Sequence, residues 1–178
     1  MILLEDTRNQ PGKHDMKNQY FSEHGVEVRR TKLYVGDYTL PTDQSVCIDT
    51  KKDIQELVGD ICGKSHERFR DECIRAQEAG VKLIILVENE PGYVDRRQTI
   101  YNHVVRSVDD LFSWRNPRAF IWIKGKQKYP LATKGSVLAQ CCKTMHEKYG
   151  VEFQFCTNEE SGGRILELLG VSDNCGKC

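Results

Sequence analysis

The chain has 178 residues, of which 39% are hydrophobic and 29% charged, a composition typical of a globular protein and not of a disordered one. Lysine and arginine total 26, as do aspartate and glutamate, which excludes a highly basic coating protein but still allows cations to gather on one face. No apolar run approaches the roughly 18 residues of a membrane span, and the opening MILLEDTR is too short and too acidic for a signal peptide. We therefore expect a cytoplasmic protein with one domain at 1–170 and a short cysteine-containing tail at 171–178.

The first half of the chain predicts a strand, a helix, a hairpin and then two more helices. Gly25 and Gly36 mark breaks after a helix and an extended segment, and Asp53 with Glu56 predicts a capping box. In chain order the elements are a strand at 2–6, a helix at 13–24, an extended segment at 26–35, a hairpin loop at 41–44, a returning strand at 45–51, a helix from 53 and a helix at 65–79. We expect the hairpin to form an edge of the sheet.

The second half alternates strands with helices. Residues 81–87, VKLIILV, form a run that is apolar except for Lys82 and suits a central strand covered on both faces. The elements that follow are a helix at 97–113, a strand at 119–123, a helix at 133–149, a strand at 151–155 and a helix at 159–169. This alternation predicts an α/β fold with a partly parallel, helix-covered sheet. Trp114 and Trp122 are expected in the core or at an interface.

Acids and a lysine fall at the ends of the predicted strands. Asp6 ends the first strand, Asp37 follows Gly36, and Asp49 stands two residues before Lys51. Residues two apart on a strand point to the same side, so Asp49 and Lys51 project together and Asp37 can meet them from the neighbouring strand. Two carboxylates at one point repel each other unless a cation lies between them, and hard oxygen ligands suit Mg²⁺ or Mn²⁺. This is the PD-(D/E)xK layout, in which a metal acts on a phosphodiester and the lysine positions water or offsets charge.

The surrounding segments resemble the nuclease domain of the XPF-type structure-specific endonucleases. GDYTL followed by VCIDTKKD resembles the family signature, in which Gly-Asp and a short hairpin precede Glu-Arg-Lys. LLEDTRNQ is similar to the first family strand and places Asp6 and Arg8 on its Asp-x-Arg. LVGDI, ERFRDEC, LIILVEN and the C-terminal segment from ATKGSVLAQ to ILELL are similar to the family segments that follow. The resemblance covers about residues 2–169.

The resemblance implies a restriction-endonuclease-like mixed central sheet flanked by helices, and a stand-alone Mg²⁺- or Mn²⁺-dependent DNA endonuclease. Branched or flapped DNA is the implied substrate, recombination or repair the implied process, and a prokaryotic or phage-encoded homodimer the implied form. The metal ligands are expected to be Asp37 and Asp49, with Lys51 and Asp6 completing the catalytic group. The residues expected to bind DNA are Arg68, Lys52 and Arg8.

Two departures from the family leave a second interpretation open. The family's Glu-Arg-Lys is Asp49-Thr50-Lys51 here, so the carboxylate is one methylene shorter and the arginine is absent. The acid after the lysine arrives one residue late, as Glu56. A non-catalytic DNA-binding or scaffolding member of the same fold is therefore the alternative, and the roles of Glu56, Glu72 and Glu88 stay open.

Two further groups of residues each allow two interpretations. The spacing of Cys175 and Cys178 is ligand-like, but no second such pair is evident, so a zinc or redox site competes with a frayed tail. A local excess of cations follows Trp114 and indicates either a flank that contacts DNA or a solubilising loop. These cations are Arg115, Arg118, Lys124, Lys126 and Lys128.

Overall fold

The computed structural model describes residues 1–9, 12, 14–93 and 101–171. In chain order the elements are β1 (Ile2–Asp6), α1 (Asp15–Glu23), β2 (Glu27–Thr31), β3 (Tyr38–Thr39), β4 (Val46–Lys51), α2 (Ile54–Cys62), α3 (His66–Glu78), β5 (Lys82–Glu88), β6 (Gly92–Tyr93), β7 (Tyr101–Asn102), β8 (Trp122–Ile123), β9 (Lys126–Gln127), α4 (Gly135–Tyr149), β10 (Glu152–Cys156) and α5 (Ser161–Leu168). Two 3-10 helices, Asp109–Phe112 and Pro117–Phe120, lie between β7 and β8. Within the described ranges, no helix has the length and apolar character needed to cross a membrane.

A six-stranded mixed sheet in the order β10-β5-β4-β3-β1-β2 forms the centre of the fold. The strands β4, β5 and β10 are parallel, as are β1 and β2, and β3 runs antiparallel between β1 and β4. The Asp6 amide donates to the Asp37 carbonyl at 2.8 Å, and the Asp37 amide donates to the Ile48 carbonyl at 2.7 Å. The C-terminal ends of β1 and β4 and the N-terminal end of β3 therefore lie next to each other, at one end of the strands.

Helices cover both faces of the sheet, as the sequence predicts. Successive residues of β5 point to opposite faces, so Ile85 packs in a core with α2, α3 and α4, whereas Leu86 packs in a second core with α1 and α5. Both side chains are fully buried. The prediction that 81–87 forms a central strand covered on both faces is confirmed, and so is the mixed α/β fold class.

The predicted position of the hairpin in the sheet is wrong. β3 and β4 lie inside the sheet, and the edge strands are β2 and β10. The local sequence forms the hairpin as expected, but β1 returns to pair with β3 and carries β2 on its far side. That pairing joins segments distant in sequence, which local patterns do not specify.

Two predicted elements between residues 97 and 123 are also wrong. Residues 101–113 form β7, a loop and a 3-10 helix in place of the helix predicted at 97–113, whose first residues, 97–100, lie outside the described ones. The Asp110 carboxylate accepts from the amides of Arg106 (2.8 Å) and Ser107 (2.9 Å), a local bonding pattern that competes with helix formation. The strand predicted at 119–123 is a 3-10 turn followed by the two-residue β8, which pairs with β9 alone among the described strands.

The two tryptophans have different environments. Trp114 is buried and packs in the core, as expected, whereas Trp122 is 61% exposed and lies outside the core. Cys175 and Cys178, proposed above as a metal or redox pair, lie outside the described residues.

Candidate active site

A cleft of about 340 Å³ opens where β1, β3 and β4 meet. Its lining is almost entirely polar and charged. It contains every residue that the sequence assigns to the site, namely Asp6, Arg8, Asp37, Asp49, Lys51, Lys52 and Arg68. The structure therefore brings together side chains that lie up to 62 positions apart in the chain.

Lys51 lies at the buried end of the cleft, between two carboxylates. Its Nζ is 2.6 Å from Asp49 Oδ2 and 2.9 Å from Asp60 Oδ2, and it lies 5.4 Å from the centre of the Phe69 ring. Burial alone would lower the pKa of this lysine, but Asp49 and Asp60 outweigh burial and raise the pKa. The ammonium group is therefore held charged in a fixed position, and the prediction that Asp49 and Lys51 project together is confirmed.

Asp60, on α2, is a member of the site that the sequence interpretation missed. It is buried, and besides Lys51 it lies 3.7 Å from the guanidinium of Arg68. A signal for it was present, since Asp60 follows Leu57 by three positions and falls on the apolar face of an amphipathic helix. An acid on a buried face requires a partner, and the neighbouring strand supplies Lys51.

Asp37 is held by Thr50, the residue that replaces the family arginine. Asp37 Oδ2 accepts hydrogen bonds from the Thr50 amide at 2.8 Å and the Thr50 hydroxyl at 2.6 Å. Desolvation in the cleft raises the pKa of Asp37, and the two bonds from Thr50 oppose that rise. Among the described residues, Asp37 Oδ1 receives no hydrogen bond, so this oxygen stays available to a ligand.

Asp49 has a strongly perturbed carboxyl group. Burial, followed by repulsion from Asp37 and Glu72, raises its pKa to about 8, although Lys51 opposes the rise. Glu72 is fixed nearby because its Oε1 accepts from the Gly36 amide at 3.0 Å. Gly36 has φ +71°, and a Cβ there would lie 3.0 Å from the Ile48 carbonyl oxygen, so only glycine suits this close approach.

Asp6 and Arg8 form a closed pair at the rim of the cleft. The buried Asp6 carboxylate accepts from Arg8 Nε and Nη2, both at 2.8 Å, from the Arg8 amide at 2.6 Å and from the Leu33 amide at 2.8 Å. Burial would raise the pKa of Asp6, but these bonds outweigh it and lower the pKa. Both oxygens of Asp6 are therefore occupied, and Arg8 is oriented by Asp6 and by the Leu33 carbonyl at 3.2 Å.

Two further acids of the cleft have structural partners. Glu56 Oε2 accepts from the Lys52 amide at 2.9 Å, while Asp53 accepts from the Glu56 amide at 2.7 Å. This is a variant of the predicted capping box. In the usual box Glu56 would accept from the amide of the N-cap residue, Asp53, whereas here it accepts from the amide of the preceding residue, Lys52. Glu88 forms a buried salt bridge with Lys17.

The basic residues of the cleft differ in how far their side chains are exposed and bonded to neighbouring acids. The Arg68 side chain is 80% exposed, and its one ionic contact among the described residues is with the buried Asp60 at 3.7 Å. Lys52 is exposed beside the start of α2. Arg8, by contrast, uses Nε and Nη2 for Asp6. Arg68 and Lys52 are therefore more available than Arg8 for a phosphate.

The cleft suits a divalent cation held by two protein carboxylates. Among the described residues, no three His, Cys, Asp or Glu side chains form a ready-made metal-binding group. Asp37 and Asp49 instead repel each other across the cleft, and a cation between them would relieve that repulsion. Mg²⁺ is commonly bound by one or two carboxylates, with water and substrate phosphate as its other ligands, which matches this donor set.

Comparisons with known proteins agree with this architecture. A family model described as the ERCC4 domain matches residues 6–169. The fold is similar to that of XPF from Aeropyrum pernix, with 14% sequence identity and a TM-score of 0.58, over 98% of this chain and 62% of that one. It is also similar to XPF from Aeropyrum pernix in complex with DNA, with 13% identity and a TM-score of 0.59, over 99% of this chain and 67% of that one. No curated protein matches the sequence.

Proposed function

The chain belongs to the ERCC4 domain family and has the fold of an XPF-type nuclease domain, and we propose that its cleft is the active site of a divalent-metal-dependent DNA endonuclease. One observation carries the proposal: Lys51 Nζ is fixed 2.6 Å from Asp49 in a cleft shared with Asp37. Buried charges are costly unless they are paired, so a lysine and acids gathered in an open cleft indicate chemistry more than stability.

Asp37 and Asp49 would hold a Mg²⁺ or Mn²⁺ ion, which when bound polarises a phosphodiester and lowers the pKa of a water molecule. Lys51 directs its ammonium group into the cleft, where it can orient the attacking water or offset negative charge on the phosphate. Asp60 would keep a counter-charge beside Lys51 if Asp49 bound a cation. Thr50 fixes the carboxylate of Asp37 through Oδ2, which would leave Oδ1 to bind the cation.

The remaining residues of the cleft would bind and orient the DNA backbone. Arg68 and Lys52 are free to contact phosphates. Asp6 acts indirectly in this scheme, because its saturated carboxylate orients Arg8 toward the cleft. We further propose that residues 1–170 form the nuclease domain, that branched or flapped DNA is the substrate, and that the enzyme acts in recombination or repair as a homodimer through α4 and α5.

One observation favours the competing interpretation of a non-catalytic DNA-binding protein. The Asp49 carboxylate is already paired with Lys51, and its raised pKa of about 8 disfavours the charged form that a metal requires. A protein that had lost catalysis could retain this pair as a structural feature. The two interpretations differ in whether divalent cations support cleavage.

Cleavage of end-labelled flap, fork, four-way and linear duplex DNA with Mg²⁺, Mn²⁺ or EDTA tests the proposal. We expect cutting with either metal, none with EDTA, and a loss of about 100-fold or more in rate for Asp49→Asn and Lys51→Ala. Asp71→Asn and Lys148→Ala make the same changes at exposed positions outside the cleft and should cut at the wild-type rate. Wild-type protein that cuts no substrate, or Asp49 and Lys51 variants that cut normally while folded, would overturn the proposal.

A further inference from the structure

A segment of uniform positive charge interrupts an otherwise neutral chain. From Leu111 to His146 the sequence contains no Asp or Glu. We call residues 115–134 the basic arm, and its cations are Arg115, Arg118, Lys124, Lys126, Lys128 and Lys134. All six are exposed, and among the described residues none of them has a carboxylate within 4 Å. Lys143, the next cation along the chain, is by contrast paired with Asp109 at 2.7 Å.

The basic arm projects as a hairpin with an apolar and cationic surface. β8 and β9 pair with each other, and the turn between them is Lys124-Gly125. Trp122 is 61% exposed and Ile123 49% exposed. Adjacent residues of a strand point to opposite faces, and one of the two faces is ordinarily buried, so the exposure of both side chains is unusual. Arg118 and Lys128 both lie over the ring of Tyr129, at 5.8 and 5.0 Å from its centre. The exposed arm therefore combines aromatic and cationic groups, with Trp122 and Gln127 on one face of the hairpin and Ile123 and Lys126 on the other.

The turn of the hairpin keeps a lysine in an unfavourable backbone conformation. Lys124 has φ 49° and Gly125 has φ 75°, and Lys124 is the one non-glycine among the described residues with positive φ. Two-residue turns of this kind favour Asn-Gly or Asp-Gly, since other side chains are strained there. Strain held at an exposed position indicates a function for the residue that carries it, and what Lys124 adds over asparagine is a charge.

The base of the arm is fixed near the strand ends that form the cleft. Asn116 Oδ1 accepts from Gln55 Nε2 of α2 at 2.8 Å, and Asn116 Nδ2 donates to the Thr133 carbonyl at 2.9 Å. One buried side chain therefore ties both ends of the arm to the first turn of α2. That turn begins at Ile54, two residues after Lys52, which lines the cleft.

We propose that the basic arm is a second DNA-binding surface, which takes the single-stranded part of a branched or flapped substrate. Unpaired bases stack on exposed aromatic rings, whereas the bases of a duplex are already stacked on each other. Trp122 offers such a ring, and Lys124, Lys126 and Lys128 offer cations for the adjoining phosphates. The inference rests on the proposed function for the identity of the substrate, but it concerns binding and does not depend on cleavage.

The charge of the arm disfavours a second copy of this chain as its partner. In a two-fold symmetric interface the same surface meets itself, so the six cations of one arm would face six like charges without intervening acids. A polyanion has the complementary charge, and releasing its counterions favours binding. Nucleic acid is therefore the partner that the charge pattern fits.

Fluorescence provides a direct test, because the chain has two tryptophans and Trp114 is buried. A 20-nucleotide single-stranded DNA and a duplex of the same length are titrated in EDTA, where cleavage is excluded. We expect the single strand to quench the emission of Trp122, and Trp122→Ala to weaken single-strand binding about ten-fold while duplex binding changes far less. Phe112→Ala removes an aromatic residue that is 50% exposed outside the arm and should bind like the wild type.

Lys124→Asn separates charge from folding, since asparagine favours the same turn. We expect the hairpin to be retained and the dependence of log K on log salt to fall by about 0.7 for the single strand. If Trp122→Ala and Lys124→Asn both bind the single strand as the wild type does, the inference is wrong, whether or not the protein cuts DNA. If the protein cuts no DNA but Trp122→Ala weakens single-strand binding, the proposed nuclease function is wrong and the proposed role of the arm in binding is supported. Loss of a dimer in Trp122→Ala with unchanged DNA affinity would make the arm a self-association surface and overturn the inference.

Discussion

Replacing Asp60 by asparagine should destabilise the protein strongly, because it removes one of the two counter-charges of a buried lysine. Asp60 Oδ2 lies 2.9 Å from Lys51 Nζ, and the side chains of both residues are less than one-tenth exposed. Asparagine has nearly the same shape, so the change removes charge without opening a cavity. Lys51 would then depend on Asp49 alone, whose carboxyl is itself hard to ionise.

The magnitude follows from the distance and the burial. Two unit charges 2.9 Å apart attract each other by about 6 kcal/mol at an effective dielectric constant of about 20, and desolvation offsets part of that attraction. Removal of one partner of a buried pair typically costs about 3–5 kcal/mol. Since Asp49 still pairs with Lys51 and the asparagine oxygen can accept a hydrogen bond, we expect about 3 kcal/mol, a large share of the stability of a typical domain.

Urea unfolding followed by tryptophan fluorescence and by circular dichroism measures this loss, provided that the two signals change together. Asp71→Asn is the matched control: its carboxylate pairs with Arg70 at 3.1 Å, but the two side chains are 56% and 42% exposed. An exposed pair contributes about 0–1 kcal/mol, so this variant should unfold almost as the wild type does. An Asp60→Asn variant within about 1 kcal/mol of Asp71→Asn would refute the assigned role of the buried pair.

Two further pairs of substitutions test local features of the cleft and the fold. Thr50→Val removes the hydroxyl that donates to Asp37 at 2.6 Å and should cost about 1–2 kcal/mol in urea unfolding, whereas Thr50→Ser should retain most of the stability. Gly135→Ala would place a Cβ 2.1 Å from the Leu111 carbonyl oxygen and should lower the melting temperature by several degrees, through a cost of about 3 kcal/mol or more. Gly59→Ala meets no atom within 4 Å and should raise the melting temperature, since alanine favours a helix by about 1 kcal/mol; equal effects at the two glycines would contradict the packing described.

The sequence predicts the parallel half of the fold well because local pattern and burial agree there. Between residues 83 and 87, β5 has no polar position to leave on a surface, so both of its faces must be covered there. The prediction is wrong where side chains bond locally to the backbone, as Asp110 does at Arg106 and Ser107. It is also wrong for the place of the hairpin in the sheet, because strand order depends on pairing between β1 and β3 that no local pattern contains.

The sequence also names the residues that line the cleft, but not how they are held. Spacing along a strand places Asp49 and Lys51 on one side, and this holds in the structure. The bond from the Thr50 hydroxyl to Asp37 depends on the approach of two strands, and the contact between Lys51 and Asp60 on the packing of α2 against β4. Compared with the family sequence, Thr50 is the replacement of an arginine. In this structure it is a hydrogen-bond partner of Asp37.

The positive charge of the basic arm is not balanced by the cleft. The lining of the cleft contains six acids and six lysine or arginine residues, and only the acids gathered around Asp49, namely Asp37 and Glu72, oppose a phosphate there. The basic arm is attached near the same strand ends, at the first turn of α2, and contains no acidic residue. If DNA is the substrate, attraction at a distance comes mainly from the arm, because the charges of the cleft balance each other. A phosphate beside Asp37 and Asp49 is favoured only when a cation offsets the charge of these acids. Such a separation lets DNA bind without being cut, so that binding and cleavage respond to different ions: the first to total salt, and the second to the divalent cation.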